Sequence, residues 1–315
     1  MPTIGSSDLD VFPLSLGGNV FGWTADKQTS YAVLDAYVSA GGNFVDTSDS
    51  YSHWVPGNSG GESEAIIGEW MADRGNRDDI VVGTKVSQHP DFRGLGASTV
   101  AGAADASLKR LGVDHIDLYY AHFDDPNTPL EETVGAFDAL VRAGKVRYVG
   151  VSNYTPARLQ QWLDIAAREG YAPPVGLQPH YNLVHRAAYE NDYLPIVRKH
   201  GLGVLPYYAL AGGFLTGKYR TEADLAGKDR GATVRRYWSE AGLAVVAVLA
   251  EIATDHGVAP STVAIAWLRD RPGVVAPIAS ARTVDQLPDL LAASSFALSP
   301  EETVRLDEVS DRVGT

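Results

Sequence analysis

Three predicted strands end at side chains that can take part in chemistry. Apolar runs stop at Asp46, Lys85 and His122, and Tyr51 follows Asp46 by five residues in a polar loop. Parallel barrels place their chemistry at the carboxyl ends of their strands. We therefore expect a carboxylate, an ammonium group, an imidazole and a phenol to meet at one end of such a barrel.

This set of groups suits proton transfer. A free tyrosine has a pKa of about 10, which suits a proton donor but makes the reverse step slow near neutral pH. A neighbouring cation favours phenolate, and Lys85 can supply that cation while Asp46 holds it in position. A tyrosine with a pKa nearer the working pH serves both directions of a reaction. A metal site formed by Asp46 and His122 is the weaker alternative, because Lys85 between them is not a metal ligand.

Alternating strands and helices along the chain predict the elements that position these groups. We count eight strand–helix units, which favour a single α/β (β/α)8 TIM barrel over an open doubly wound sheet. We expect an N-terminal strand or hairpin, extra C-terminal helices, and one domain over residues 1–315. The predicted strands are 14–18, 43–45, 80–84, 116–121, 146–151, 175–177, 203–206 and 274–276. The predicted helices are 29–40, 62–71, 98–110, 130–142, 156–168, 192–200, 240–256, 261–270, 283–292 and 300–309.

Glycine patterns also separate the fold classes. The three glycines of 16–22 have the wrong spacing for the dinucleotide fingerprint of a doubly wound fold, and we find no phosphate-binding P-loop. The long irregular stretch 209–239 predicts a functional loop.

Composition narrows the class of protein. The chain has 45% hydrophobic residues and a net charge of −13, so it can bury a core and is poorly suited to non-specific binding of nucleic acid or anionic membranes. It has no cysteine, which excludes disulfides and thiolate nucleophiles. The N-terminus lacks a signal-peptide pattern, and no apolar run approaches the ~18 residues of a membrane span. We expect a cytoplasmic protein that acts on a small molecule, with its oligomeric state left open.

Several motifs in order resemble those of the aldo-keto reductases. Asp46 with Tyr51, Lys85 after Val-Val-Gly-Thr, and His122 after Leu-Tyr-Tyr-Ala are similar to the catalytic tetrad of that family. Three further stretches resemble it as well: 144–153, 177–183 and 213–219. The resemblance covers nearly the whole chain and is greatest for the branch that includes broad bacterial members and potassium-channel β subunits.

The resemblance implies a reaction and a role for each member of the tetrad. The reaction is the reversible, NADPH-dependent reduction of an aldehyde or ketone to an alcohol. Tyr51 acts as general acid/base, Lys85 and Asp46 tune it, and His122 hydrogen-bonds the carbonyl oxygen and orients the substrate. One rival is a cofactor-binding regulatory protein of the channel β-subunit type with slow turnover. The other is an aldolase with Lys85 as a Schiff-base nucleophile, which is disfavoured because Asp46 would keep the amine charged.

The resemblance also implies a nicotinamide dinucleotide bound without a Rossmann fold. Ser152, Asn153 and Gln178 would contact the carboxamide, and Tyr207 the nicotinamide ring. The pyrophosphate would lie against Leu210, Gly212 and Lys218. The adenosine end would lie against Ser280, Arg282, Gln286 and Asp289. The planar guanidinium of Arg282 suits a 2′-phosphate, which favours NADPH, with NADH as the alternative.

Some positions depart from the family pattern. Ser280 stands where the family usually has glycine, and Leu290 where it has an adenine-contacting asparagine. Residues 208–210 are Tyr-Ala-Leu instead of the usual Ser-Pro-Leu. These departures bear on the adenine contacts and on loop shape. For the substrate pocket we select Trp23, His53 and Trp54, with Tyr237 or Trp238 as further aromatic candidates.

Overall fold

Eight parallel strands curl into a barrel in the computed structural model, which describes residues 1–313. Residues 1–313 contain ten strands in all: β1 (Ser15–Gly17), β2 (Phe44–Asp46), β3 (Val81–Val86), β4 (Gln88–His89), β5 (Phe92–Arg93), β6 (Ile116–Ala121), β7 (Val146–Ser152), β8 (Pro174–Gln178), β9 (Gly203–Val204) and β10 (Ile278–Ala279). The barrel order is β10-β1-β2-β3-β6-β7-β8-β9, while β4 and β5 form a separate antiparallel hairpin. The predicted barrel class is confirmed.

Backbone hydrogen bonds close the circle between β9 and the segment that leads into β10. The Val204 amide donates to the Gly273 carbonyl over 2.9 Å, and the Ile278 amide donates to the Pro206 carbonyl over 2.9 Å. On its other side β10 pairs with β1 in parallel. All eight carboxyl ends therefore open at one end of the barrel.

Helices surround the barrel and follow its strands. They are α1 (Lys27–Ser39), α2 (Glu62–Arg74), α3 (Ala97–Leu111), α4 (Leu130–Arg142), α5 (Pro156–Glu169), α6 (Leu194–His200), α7 (Gly231–Arg235), α8 (Glu240–His256), α9 (Pro260–Arg269), α10 (Leu287–Leu291) and α11 (Pro300–Ser310). Local signals set their ends: Ser299 caps α11 in a capping box with Glu302, and Gly170 ends α5 in a left-handed conformation.

The N-terminal segment fills the amino end of the barrel. An antiparallel bridge between Thr3 and Asp10 folds the segment back on itself. Ile4, Leu9 and Val11 are buried among the inward-facing apolar side chains of the barrel. Because apolar groups fill this end, polar groups inside the barrel collect at the opposite end.

Several predicted boundaries were wrong. The last strand is Ile278–Ala279 rather than 274–276, because the ladder with β1 begins only after Pro277, and Val274 makes one isolated bridge to Val204. The predicted helix 192–200 begins with a π-helical turn, Ala188–Tyr193, and the predicted helix 283–292 is divided into 3₁₀ turns around α10. The stretch 209–239 contains α7 and two 3₁₀ turns, Ala211–Thr216 and Glu222–Leu225.

No single helix within residues 1–313 is long and apolar enough to span a membrane. The pair α8 and α9 together has that length and apolar composition, but the two helices are bent by 103°.

Candidate active site

Three neighbouring strands deliver the predicted chemical groups to one place. Asp46 is the last residue of β2, Lys85 lies in β3, and His122 directly follows β6. The register pairs Asp46 with Gly83 and Lys85 with Tyr120. Parallel pairing therefore stacks the three strand ends, as the sequence predicts.

The Lys85 ammonium lies at the centre of a buried hydrogen-bond cluster. Its Nζ donates to Asp46 Oδ1 over 2.6 Å, to the Thr47 carbonyl over 2.6 Å and to Tyr51 Oη over 3.1 Å. An ammonium group has three donors and no acceptor. The Tyr51 oxygen is therefore the acceptor, which leaves the phenolic hydrogen free for another partner.

The charges of this cluster decide its protonation. Burial lowers the pKa of Lys85, but the Asp46 carboxylate and the Tyr51 phenol outweigh it and leave that pKa raised, so the amine stays charged. Burial raises the pKa of Tyr51 although the Lys85 ammonium opposes it. Lys85 does lower the pKa of the phenol, as expected. Burial raises it by more, so the net shift is upward.

His122 is neutral at physiological pH. Burial and, to a smaller degree, the Lys85 ammonium lower the pKa of His122 well below its ordinary value. Its ring lies edge-on to Tyr51, with centroids 6.2 Å apart. A neutral imidazole and a protonated phenol side by side can both donate hydrogen bonds to one oxygen atom.

The polar residues at the next strand ends bond to one another. Gln178 Nε2 donates to Asp46 Oδ2 over 2.8 Å, and Ser152 Oγ donates to the Gln178 carbonyl over 2.9 Å. Asn153, at a φ of +53°, donates to the His122 carbonyl and accepts from Tyr207 Oη, each over 2.8 Å. This network joins the predicted cofactor-contacting side chains to the tetrad.

A cavity of about 1480 Å³ lies above this floor. It is lined by most of the sequence-predicted residues: Asp46, Tyr51, His122, Ser152, Asn153, Gln178, Tyr207, Leu210, Gly212, Lys218, Ser280, Arg282, Gln286, Asp289, Trp23 and Trp54. Lys85 is buried beneath it.

His53 is predicted for the substrate pocket, but it is not among the lining residues. Its ring packs behind Trp54, with centroids 5.4 Å apart, and its Nδ1 contacts the Ser50 carbonyl over 2.7 Å. Tyr237 and Trp238 are likewise outside the lining, where they pack against Phe214.

Aromatic side chains form the wall near the tetrad. Trp23 and Trp54 meet edge to face with centroids 5.5 Å apart, and Phe123 lies beside His122 at 4.9 Å. Trp54 is 46% exposed and Phe123 40% exposed. Large apolar groups left open to solvent at a cavity mouth are typical of ligand-binding surfaces.

Basic side chains collect in the loop region beyond β9. Burial and the nearby charges of Arg282, Arg230 and Lys228 lower the pKa of Lys218. Arg230 is mostly buried, and its Nη2 has no hydrogen-bond partner within residues 1–313. Arg282 approaches Asp229 at 3.6 Å. Clustered cations with an unpaired buried donor are suited to an anion such as a phosphate group.

Sequence reasoning missed Arg230, Tyr208 and Asn19, all of which line the cavity. The signal for Arg230 was the concentration of basic residues within 228–236 of the long loop. Tyr208 adopts a φ of +55°, an uncommon conformation for a residue with a side chain. Asn19 Oδ1 accepts from Ser280 Oγ over 2.7 Å, so the serine at the usual glycine position bonds to the loop that follows β1.

Comparison with known proteins agrees with this arrangement. The model of the aldo/keto reductase family matches residues 13–311. The uncharacterized oxidoreductase YrpG of Bacillus subtilis (strain 168) is 33% identical, covering 97% of this chain and 94% of the relative. A probable voltage-gated potassium channel subunit beta of Oryza sativa subsp. japonica is 33% identical over 97% and 95%. Norsolorinic acid reductase B of Aspergillus parasiticus is 33% identical over 94% and 80%.

Proposed function

Because the chain belongs to the aldo/keto reductase family, a family of oxidoreductases, we propose that it reduces an aldehyde or ketone to an alcohol with NADPH. The observation that supports this most strongly is the Tyr51–Lys85–Asp46 cluster on the floor of a large cavity. In this cluster Tyr51 is the proton donor, and Lys85 beneath it holds the phenolic oxygen by a hydrogen bond.

Each member of the cluster has a distinct part in the proposed reaction. The Tyr51 phenol gives its proton to the carbonyl oxygen as negative charge develops there, and Lys85 stabilises the phenolate left behind. Asp46 keeps the ammonium charged and in place. His122 donates a second hydrogen bond to the same oxygen and thereby orients the carbonyl.

The described residues fit a phosphorylated nicotinamide cofactor. When bound, such a cofactor supplies the hydride that the carbonyl carbon receives. Lys218, Arg230 and Arg282 would hold its phosphate groups, since the three cations line the same region and Nη2 of Arg230 has no hydrogen-bond partner among the described residues. The Arg282 guanidinium, which can pair with the additional 2′-phosphate, favours NADPH over NADH.

The aromatic wall bears on the choice of substrate. Trp23, Trp54 and Phe123 line the same cavity as His122, and Phe123 packs directly beside the imidazole. They favour carbonyl compounds with an apolar or aromatic body, because such a body loses contact with water on binding. We therefore choose 4-nitrobenzaldehyde as the first probe.

The test compares NADPH oxidation by the wild type and by Tyr51→Phe. We expect the variant to lose at least ~100-fold in kcat, the usual size of a general acid's contribution, while the Kd for NADPH stays within about twofold. Equal turnover in both proteins would refute the role of Tyr51. Tight NADPH binding by a wild type that turns over no carbonyl probe would favour the alternative of a slow, cofactor-binding regulatory protein, which the similarity to the rice channel subunit keeps in view.

A further inference from the structure

The hydroxyl of Ser48 contacts the catalytic imidazole from the side away from solvent. Ser48 is fully buried in the loop between Asp46 and Tyr51, and its Oγ lies 3.4 Å from His122 Nδ1. This is a long hydrogen bond, and the proposed reaction assigns Ser48 no role. Of the two ring nitrogens of His122, Nδ1 is the one that has a hydrogen-bond partner within residues 1–313.

The tautomer of a neutral imidazole depends on which nitrogen receives a hydrogen bond. The lowered pKa of His122 keeps the ring neutral, so one nitrogen carries a proton and the other accepts. If the Ser48 hydroxyl donates to Nδ1, the proton must be on Nε2. Only that tautomer lets His122 donate through Nε2 to a carbonyl oxygen in the cavity.

Ser48 has one proton and three acceptors within reach. Besides His122, its Oγ lies 3.3 Å from Asp49 Oδ1 and 3.1 Å from Ser50 Oγ. The Ser50 amide donates to the Ser48 oxygen over 3.3 Å. An ionised Asp49 would attract the Ser48 proton away from the imidazole, whereas a protonated Asp49 could donate to Ser48 instead.

The surroundings of Asp49 favour its neutral form. Asp49 is fully buried, and its Oδ2 has no hydrogen-bond partner within the described residues. Burial and the charge of Glu64 raise the pKa of Asp49 well above its ordinary value, against smaller opposing effects of Arg110, Ser48 and Lys85. The phenol of Tyr119 is the further titratable group close to Asp49. Glu64 forms an ion pair with Arg110, whose Nε donates to it over 2.6 Å.

We propose that Ser48 is a positioning residue for His122: its hydroxyl donates to Nδ1 and keeps the imidazole proton on Nε2, while a neutral Asp49 leaves that hydroxyl free to do so. This inference rests on the proposed role of His122 in carbonyl reduction. Ser48 and Asp49 lie between Asp46 and Tyr51 in the chain, so one loop carries the phenol and orients the imidazole.

The test combines nitrogen NMR with kinetics on the full chain. ¹⁵N-histidine labelling reports which ring nitrogen is protonated, and the signals of His122 are assigned by their loss in His122→Gln. We expect Nε2 to be protonated and Nδ1 to be bare in the wild type. In Ser48→Ala we expect a mixture of tautomers and a fall of about fivefold in kcat, the size of one net hydrogen bond, with the KM for NADPH within about twofold.

Two matched variants separate positioning from packing. Ser48→Thr retains the hydroxyl and should keep the wild-type tautomer. Asp49→Asn has the shape of the neutral acid and should also keep it. Protonated Nδ1 in the wild type, or unchanged His122 signals in Ser48→Ala, would overturn the proposal. If Ser48→Ala does not fold, the wild-type spectrum and Asp49→Asn still decide it. The spectra need neither cofactor nor substrate, so absence of turnover would count against the proposed function alone.

Discussion

Replacing Lys85 by methionine should make stability fall more steeply with rising pH than it does in the wild type, where Lys85 opposes the effect of burial on the pKa of Asp46. The ammonium is fully buried, and its partner Asp46 has a side chain only 2% exposed. Methionine fills much of the lysine volume but leaves the Asp46 carboxylate with the hydrogen bond from Gln178 as its remaining side-chain contact. Breaking a buried ion pair in this way typically costs about 3–5 kcal/mol.

The loss of unfolding free energy in Lys85→Met is limited because Asp46 can take up a proton. Protonating a carboxyl group with an ordinary pKa of about 3.9 costs about 4 kcal/mol at pH ~7 and about 1.5 kcal/mol at pH ~5. The folded variant then binds one proton more than its unfolded chain, so its stability falls as the pH rises. The difference in unfolding free energy between wild type and Lys85→Met should therefore shrink by about 2.7 kcal/mol from pH ~7 to pH ~5.

Urea unfolding followed by circular dichroism at both pH values measures this difference. Comparison with the wild type at each pH cancels the titration of the other carboxylates. Asp46→Asn/Lys85→Met removes both charges and should recover most of the lost stability without recovering activity. Lys27→Met breaks the exposed ion pair with Glu69 and should change stability little at either pH. A pH-independent loss in Lys85→Met, or a double variant no more stable than the single one, would refute the reasoning.

Three further outcomes follow from the site. The pKa of Tyr51 is raised and reduction needs its proton, so kcat/KM for reduction should stay level between pH ~6 and ~9. The rate of alcohol oxidation should instead rise with pH. A fall of kcat/KM for reduction below pH ~9 would contradict this. Arg230→Met should weaken NADPH binding by about 10–100-fold in fluorescence titration, while the exposed Arg312→Met leaves it unchanged. Arg282→Met should weaken NADPH binding by about tenfold and leave NADH binding nearly unchanged; equal losses for both cofactors would place Arg282 away from the 2′-phosphate.

The positions of Asp46, Lys85 and His122 could be predicted from the sequence because each follows an apolar run. A parallel barrel brings strand ends together whatever the helices between them contain. The contact between Lys85 and Tyr51 followed from the same argument, since a loop of four residues keeps the phenol near its strand. The structure brings these groups to within 3.1 Å as expected.

Protonation and loop contacts could not be predicted in the same way. Spacing indicates that Lys85 lies near Tyr51, but it does not reveal how much water both groups lose, and that loss determines the direction of the pKa of Tyr51. Arg230 lies in a stretch without helical or strand periodicity, where backbone conformations such as those of Gly212 and Gly213, with φ of +69° and +102°, turn the chain. Which basic side chain such a loop turns inward depends on tertiary packing.

Burial of the tetrad also determines which of its side chains carry a proton. Lys85 uses all three of its donors on Asp46, Thr47 and Tyr51, so the phenolic proton has no acceptor on that side. Burial holds that proton on Tyr51 more strongly than the ammonium removes it. A buried cation alone would favour phenolate and hence alcohol oxidation, whereas the cation combined with desolvation keeps a neutral phenol that is ready to donate. The same desolvation keeps His122 neutral, so both groups that face the cavity can donate a hydrogen bond, as the proposed reduction of a carbonyl requires.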